Sequence, residues 1–348
     1  MSSLKYLISY IVPFSALIAL AYNGFLSFAT VIFVFFILPI VEFFMSTSTE
    51  NIDKEKKDSF LKQKFFDLIL YLNVPILYGI IFYYITSLNR ENIQNIELIG
   101  ITLSTGIVIG ACGINVAHEL GHRKNKFEVF LAKILLLPAF YMHFYIEHNR
   151  GHHKNVATEF DPATSNKGEY LYSFWLKSII KSYFSAWKIQ LNLLKKDNHN
   201  FISLKNEMLV FQVIQAIYIL SIYYFFGLYT TLFVIFSGLI GVLLLETINY
   251  IEHYGLKREK LPTGNYENVK PKHSWNANYT LGRIVLYELT RHSDHHFLAS
   301  KKYQILDYHE DSPQLPFGYP TCMLISFIPP LWFFLMDKKL VNYEKVKV

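Results

Sequence analysis

The chain has 348 residues, of which 52% are hydrophobic and only 17% are charged, and its mean hydropathy is +0.23. These values exclude an ordinary water-soluble α/β enzyme. With only two cysteines, Cys112 and Cys322, a disulfide framework is excluded, and the net charge of +6 comes without the basic and aromatic modules that bind nucleic acid.

Long uncharged stretches predict an all-α, polytopic membrane protein in which residues 1–348 form one domain. About 20 apolar helical residues cross the hydrocarbon core once. The stretches before Glu42 and after Glu207 are too long for one crossing, so turns are expected at Asn23-Gly24 and near Phe226-Gly227. The six predicted transmembrane helices are 6–22, 25–41, 68–88, 98–117, 208–226 and 229–249.

Two further apolar segments do not fit as crossings. Segment 134–146 is too short and contains Pro138, so a re-entrant or interfacial segment is expected there. Segment 312–336 is long enough but rich in proline, and a crossing there would place the C-terminal lysines on the opposite side. We therefore expect both segments to stay on the side that carries the histidines.

The basic residues predict the orientation of the chain. The three short loops between paired helices hold Arg90 and no other lysine or arginine, so almost all basic residues lie on the other side. By the positive-inside rule that side is the cytoplasm. The N-terminus lacks a small-residue cleavage site, and we expect the first helix to be a retained membrane helix.

Most of the 13 histidines fall into four clusters, all on the predicted cytoplasmic side. Spacings of three and four residues place imidazoles on one face of a helix, as a shared metal requires. Since a catalytic zinc takes about three protein ligands, nine histidines predict two metals rather than one. Spacing predicts eight ligands, which are His118, His122, His148, His152, His153, His292, His295 and His296, whereas His253 is alone in its cluster and its spacing leaves a ligand role open.

Each cluster also contains a carboxylate beside a histidine. Such carboxylates can orient the imidazole rings and increase their basicity, or they can simply pair with neighbouring arginines. The candidates are Glu119, Glu147, Glu252 and Asp294. The isolated residues His143, His199, His273 and His309 are expected to be structural. Imidazole suits iron, copper, zinc and nickel, so the ligand type leaves the metal open.

The order of the histidine motifs resembles the three-box pattern of the membrane fatty-acid desaturase and hydroxylase superfamily. Within it, the chain is similar to the bacterial alkane 1-monooxygenase family in the strings HELGHRK, EHNRGHH, DPATS, NYIEHYGL, SWNAN, RHSDHH and PQLPFGYP. The resemblance implies a non-haem site with two iron ions, held by the nine histidines, in a multi-pass protein of the bacterial inner membrane. It implies terminal hydroxylation of medium- to long-chain alkanes with dioxygen, and electrons from rubredoxin and its NAD(P)H-dependent reductase.

The substrate channel is expected to be apolar, because an alkane offers no polar group for recognition. Phe35 and Phe36, on the second predicted helix, are candidates for limiting the accepted chain length. The chain departs from the family pattern at Glu159-Phe160 and at Phe297-Leu298. Phe297 directly follows His296 and is a third candidate for shaping the cavity.

The sequence is also compatible with other functions. A related hydroxylase or desaturase acting on fatty acyl, aromatic methyl or terpenoid substrates would carry the same histidine pattern. A membrane zinc protease would use HELGH, with Glu119 as general base, but it explains only two of the nine histidines. A metal carrier would bind metal without consuming oxygen in response to a substrate.

Overall fold

A computed structural model describes residues 3–91 and 93–346, and these residues are almost entirely helical. The helices are α1 Ser3–Ala21, α2 Gly24–Phe44, α3 Lys54–Lys62, α4 Lys64–Ser87, α5 Asn95–Gly121, α6 Lys126–Leu136, α7 144–155, α8 Leu171–Lys196, α9 Glu207–His253, α10 Thr280–Val285, α11 His292–Phe297, α12 Tyr319–Ser326 and α13 Pro329–Val346. The described β structure consists of three isolated bridges. The all-α prediction is confirmed.

Five helices, α1, α2, α4, α5 and α9, are long and apolar enough to cross a membrane. Two pairs of them are joined by short turns that lie close together. Gly24, at φ +66°, lies in the turn between α1 and α2, and its amide donates a 2.5 Å hydrogen bond to Glu97. The same carboxyl accepts from the amide of Gln94 and so caps the start of α5. The Glu97 carboxyl therefore ties the two turns together.

The long helix α9 reverses direction at Gly227, whose torsion angles, φ 79° and ψ 174°, are not helical. Tyr218 and Gly238 both pack against Phe140, from opposite sides of this break in the sequence. In a straight helix they would be about 30 Å apart. The 47-residue helix is therefore a hairpin of two segments, 207–226 and 228–253, and the break lies where the length of the uncharged stretch predicts it.

Helices α5 and the second half of α9 cross closely through glycine. A Cβ atom on Gly106 would lie 2.5 Å from Ile240, and one on Gly241 would lie 2.8 Å from Ile109. Small residues let two helix backbones approach each other in a membrane protein. Both segments then run towards the same end of the molecule, where α5 reaches His118 and α9 ends at His253.

Segment 134–146, predicted to be re-entrant or interfacial, is not one helix. α6 ends at Leu136, a 3₁₀ turn follows at Leu137–Ala139, and Phe140 adopts a left-handed conformation at φ 53°. Neither α12 nor α13, which cover most of segment 312–336, is among the five apolar helices of membrane-crossing length. Together with α8, these C-terminal helices form a second core around Trp275 and Trp332, which supports the end of α9.

Candidate metal centre

The nine histidines predicted as ligands come together in two groups. The first group, called site A, contains His118, His122, His148, His153 and His295. The second group, called site B, contains His152, His253, His292 and His296. Within each group, one nitrogen from every ring lies within 4.8 Å of the others. Four separate parts of the chain thus supply two adjacent sets of imidazoles.

The spacing of the ring nitrogens fits a metal with many ligands. Six Nε2–Nε2 separations, all within one site or the other, lie between 2.9 and 3.2 Å. Ligands about 2.1 Å from a metal are about 3.0 Å apart at right angles and about 3.4 Å apart in a tetrahedron. The separations therefore match an octahedral arrangement better than the tetrahedral one that structural zinc prefers.

The second histidine box differs from the simple helical expectation. The spacing of His148 and His152 predicts that they share a metal, but His148 pairs with His153 in site A and His152 belongs to site B. The reason is a π-helical turn over His148–His152. In a π turn, residues five apart in sequence lie on the same face, whereas an α-helix favours residues three or four apart.

The third box is likewise shared between the two sites. His292 and His296, one helical turn apart in α11, point to site B, and His295 points to site A. Adjacent histidines in the sequence, 152 with 153 and 295 with 296, therefore supply different sites. This division explains why the chain uses doublets of histidine.

Burial favours the neutral, metal-ligating form of the imidazoles that have no carboxylate at Nδ1, whereas at His152 the adjacent Asp161 outweighs burial and raises the pKa of the ring. His148 and His292 are 4% and 2% exposed, and burial lowers the pKa of both rings well below the usual value. Burial lowers the pKa of His295 to about 3. Metal binding requires deprotonated nitrogen, so the apolar surroundings prepare these rings for a metal near neutral pH.

The carboxylate that orients a ligand ring most clearly is Asp161, which the sequence reasoning missed as a site residue. Its Oδ2 lies 2.9 Å from Nδ1 of His152, and both side chains are buried. Burial opposes ionisation of this carboxyl, but the adjacent His152 ring outweighs burial and lowers its pKa. The signal was present in the DPATS string, where an acidic residue closely follows the second box.

The four predicted carboxylates have different positions. Glu252 lies beside site B, with one oxygen 3.1 Å from Nε2 of His292 and the other accepting a 2.5 Å hydrogen bond from Tyr319. The other three predicted carboxylates form hydrogen bonds with residues outside sites A and B. Glu119 pairs with Arg123, and Asp294 pairs with Lys301 and His309.

Glu147 is buried next to the second box and accepts a 3.4 Å hydrogen bond from Ser185. The four isolated histidines lie outside sites A and B. His309 bonds to Asp294, and His273 bonds to Glu267. His143 is buried beside the ring of Tyr141.

An apolar cavity of about 90 Å³ ends at the histidines. Its walls come from α1, α2, α5, α9, α10 and α12, and its inner end includes His118, His148 and His292. Phe35 lines this cavity, within a π-helical turn of α2. Phe36 is 59% exposed, and Phe297 is 53% exposed and contacts the ring of His309, so the structure brings neither to the cavity.

Comparison with known proteins gives a consistent result. The sequence model of the fatty acid desaturase family matches residues 96–325. The alkane 1-monooxygenase of Pseudomonas putida is 37% identical over 88% of this chain and 76% of its own length, and alkane 1-monooxygenase 1 of Alcanivorax borkumensis is 36% identical with the same coverage. The hydroxylase component of the Pseudomonas putida xylene/toluene monooxygenase is 29% identical over 81% of this chain and 76% of its length.

Proposed function

The chain belongs to the fatty acid desaturase family and, within it, to the alkane 1-monooxygenases, and on this premise we propose that it hydroxylates the terminal methyl group of medium- to long-chain alkanes. In this reaction, RCH₃, dioxygen, two electrons and two protons give RCH₂OH and water. The observation that carries the proposal is the apolar cavity that ends at sites A and B.

Sites A and B are proposed to hold two iron ions, with His118, His122, His148, His153 and His295 at one and His152, His253, His292 and His296 at the other. Their nearly octahedral nitrogen spacings and all-imidazole donor sets suit iron. Bound iron would supply the activation of dioxygen. The protein keeps most of the rings buried, and Asp161 fixes the orientation of the His152 ring through Nδ1.

Selection of the substrate is proposed to depend on the shape of the cavity. An alkane makes no hydrogen bonds, so an apolar wall selects it by length and width. The three histidines at the inner end of the cavity meet whichever end of a linear chain enters first. This arrangement favours attack at a terminal carbon, and Phe35 lies in position to limit how far the chain extends.

The chain is a membrane protein, and we propose six crossings, counting the two halves of α9 separately. The turn at Gly24, the loop at Arg90 and the reversal at Gly227 lie at one end, where Asn89 bonds to Thr230 across two of the turns. The histidines lie at the other end, with nearly all the basic residues, which supports a cytoplasmic site in the bacterial inner membrane.

Electrons are proposed to come from reduced rubredoxin, itself reduced by an NAD(P)H-dependent reductase. A strongly basic cytoplasmic face suits the docking of a small acidic carrier, and the apparent affinity should then weaken as salt is raised. Replacement of rubredoxin by a basic electron carrier of similar potential should give slower reduction.

The test is oxygen uptake by the purified, iron-loaded protein in the presence of rubredoxin, its reductase and one substrate at a time. Octane and hexadecane should stimulate uptake and yield 1-alkanols. Metal analysis of the protein as purified, before iron is added, should find about two irons per chain. About one zinc, with no substrate-dependent uptake, would favour the protease alternative and refute the proposal.

A second candidate substrate class is an aromatic methyl compound. The similarity to a xylene/toluene monooxygenase component supports it, although the identity of 29% is lower than that to the alkane enzymes. Including xylene and a fatty acid in the panel separates these substrates. Faster turnover of xylene than of any alkane would replace the first proposal by the second.

A further inference from the structure

A second cavity adjoins the apolar cavity, and one carboxyl group lies between them. Glu42, in the last turn of α2, is only 2% exposed although its helix faces the membrane. Among the described residues, neither of its oxygens accepts a hydrogen bond of normal geometry, although the main-chain amide of Gly282 lies nearby. Burying a carboxyl group without a hydrogen-bond partner costs free energy, so a ligand that forms a hydrogen bond with Glu42 would explain its position.

Two glycines make the space that this carboxyl occupies. A Cβ atom on Gly282 would overlap one oxygen of Glu42, and a Cβ atom on Gly318 would overlap the other. Neither glycine has a positive φ, so backbone conformation does not require glycine at either position. The missing side chains instead leave room for the carboxyl at the boundary between α10 and the start of α12.

The carboxyl is placed at the wall that the two cavities share. The apolar cavity is lined by Leu38, Gly282 and Tyr319, whereas the second cavity is lined by Pro39, Gly318 and Glu42 itself. Neighbouring residues along the chain therefore face different cavities. A molecule that leaves the histidines through this wall would pass the oxygens of Glu42.

The outer side of the second cavity is formed by exposed apolar residues of α2. Ile40, Phe43 and Phe44 line it and are 59%, 77% and 82% exposed. Since α2 is one of the helices of membrane-crossing length, we expect these exposed apolar side chains to contact lipid. The second cavity thus combines an opening towards the acyl chains with one carboxyl at its base.

We propose that Glu42 binds the hydroxyl group of the primary alcohol product as the product passes from the apolar cavity into the membrane. The identification of the ligand rests on the proposed hydroxylation, because the product differs from the substrate by one hydroxyl group. A hydroxyl can donate to a carboxylate, and the alkyl chain matches the apolar walls. A phospholipid headgroup fits less well, because its phosphate would be repelled by the carboxylate.

The inference is tested without turnover, on the metal-free full chain in phosphatidylcholine nanodiscs. The probe is a 1-alkanol that carries a photoreactive diazirine next to the carbinol carbon, and mass spectrometry identifies the labelled peptides. Labelling is expected at residues 39–44 and 316–321. An excess of 1-octanol should prevent it, and an equal excess of octane should not.

Two variants change the carboxyl in different ways. Glu42→Leu removes it, and Gly318→Ala keeps it but fills the space beside it. Each should weaken labelling about tenfold or more, the loss expected for a hydrogen bond to a charged group. Gly79→Ala is the matched control, because a Cβ atom at that position meets nothing within 4 Å, and it should label as the unmodified chain does.

The melting temperature separates a binding role from a structural one. Glu42→Leu should melt no lower than the unmodified chain, because it removes a buried unpaired group. A clearly lower melting temperature would show that the carboxyl has a structural partner and would overturn the inference. Unchanged labelling of folded Glu42→Leu, or stronger labelling by a phosphatidylethanolamine probe, would also overturn it.

The outcomes for the two proposals are distinguishable. The protein could show alkanol labelling that depends on Glu42 and yet fail to hydroxylate octane. That result would support the alcohol site and refute the proposed reaction. Hydroxylation of octane without such labelling would refute the alcohol site alone.

Discussion

Replacing Asp161 by asparagine should weaken iron binding at site B while leaving site A intact. The Asp161 carboxylate lies 2.9 Å from Nδ1 of His152, and it accepts further hydrogen bonds from Thr164 and from the amide of Ala163. In this geometry Nδ1 donates, so Nε2 keeps the lone pair that faces site B. An asparagine amide nitrogen facing Nδ1 would favour the opposite tautomer, with a proton on Nε2.

The size of the effect follows from burial. The side chains of His152 and Asp161 are 1% and 0% exposed, so water cannot replace the lost partner. A hydrogen bond to a charged group contributes about 1.5–3 kcal/mol. Carboxylates that orient ligand histidines affect metal affinity about 10- to 100-fold, which agrees with that energy. We therefore expect an affinity loss at site B of about 10- to 100-fold.

The assay is an anaerobic titration of the metal-free protein with ferrous iron against a competing chelator. Asp161→Asn should bind one iron as the unmodified chain does and a second more weakly. Glu159→Gln, the same chemical change in the same loop, is the control, because Glu159 is exposed and bonds to Tyr266. If folded Asp161→Asn binds two irons with unchanged affinity, the orienting role of Asp161 is refuted.

Three further predictions concern the cavity, a buried histidine and the helix crossing. Phe35→Ala should extend the range of 1-alkanols formed from a mixture of alkanes, as resolved by gas chromatography. The Phe36→Ala variant, changed at an exposed residue, should not. The reverse result would show that Phe35 does not limit the chain length in the channel. Burial lowers the pKa of His143 to about 3, so only the unfolded chain gains a proton as pH falls through about 6.5. The unmodified chain should then lose about 1.4 kcal/mol more stability than His143→Phe between pH 7.5 and 5.5, as measured by denaturation, and equal losses would contradict this. Gly241→Val should destabilise the crossing of α5 and α9 by about 1–3 kcal/mol. Its melting temperature should therefore be lower than that of Gly79→Ala. An unchanged melting temperature would show that the two helices can separate without cost.

The sequence predicts the helical class and eight of the nine histidines because both depend on local patterns, whereas His253 follows from the resemblance of its EHYG string to the family. Uncharged length predicts crossings, and the break at Gly227 follows from the limited thickness of the hydrocarbon core. Histidines at helical spacing predict metal ligands regardless of how the helices pack. These features need no knowledge of contacts between distant parts of the chain.

The division of the histidines between two sites could not be read from spacing alone. It depends on a π-helical turn at His148–His152, which changes the residues that share a face. Asp161 was missed for a similar reason, since only the folded loop brings its carboxylate to Nδ1 of His152. The exposed position of Phe36 depends on how α2 is rotated against its neighbours, and an apolar helix that is hydrophobic on all sides does not specify that rotation.

The most direct test of the central claim, that nine histidines hold two irons and direct oxygen onto an alkane, is isotopic. The iron-loaded protein, with reduced rubredoxin and octane, is incubated under ¹⁸O₂ in ordinary water, and the product is analysed by mass spectrometry. We predict 1-octanol carrying one ¹⁸O atom, with no such product from a variant in which His152 and His295, one from each site, are replaced by alanine. The absence of 1-octanol, or 1-octanol whose oxygen comes from water, would contradict the account.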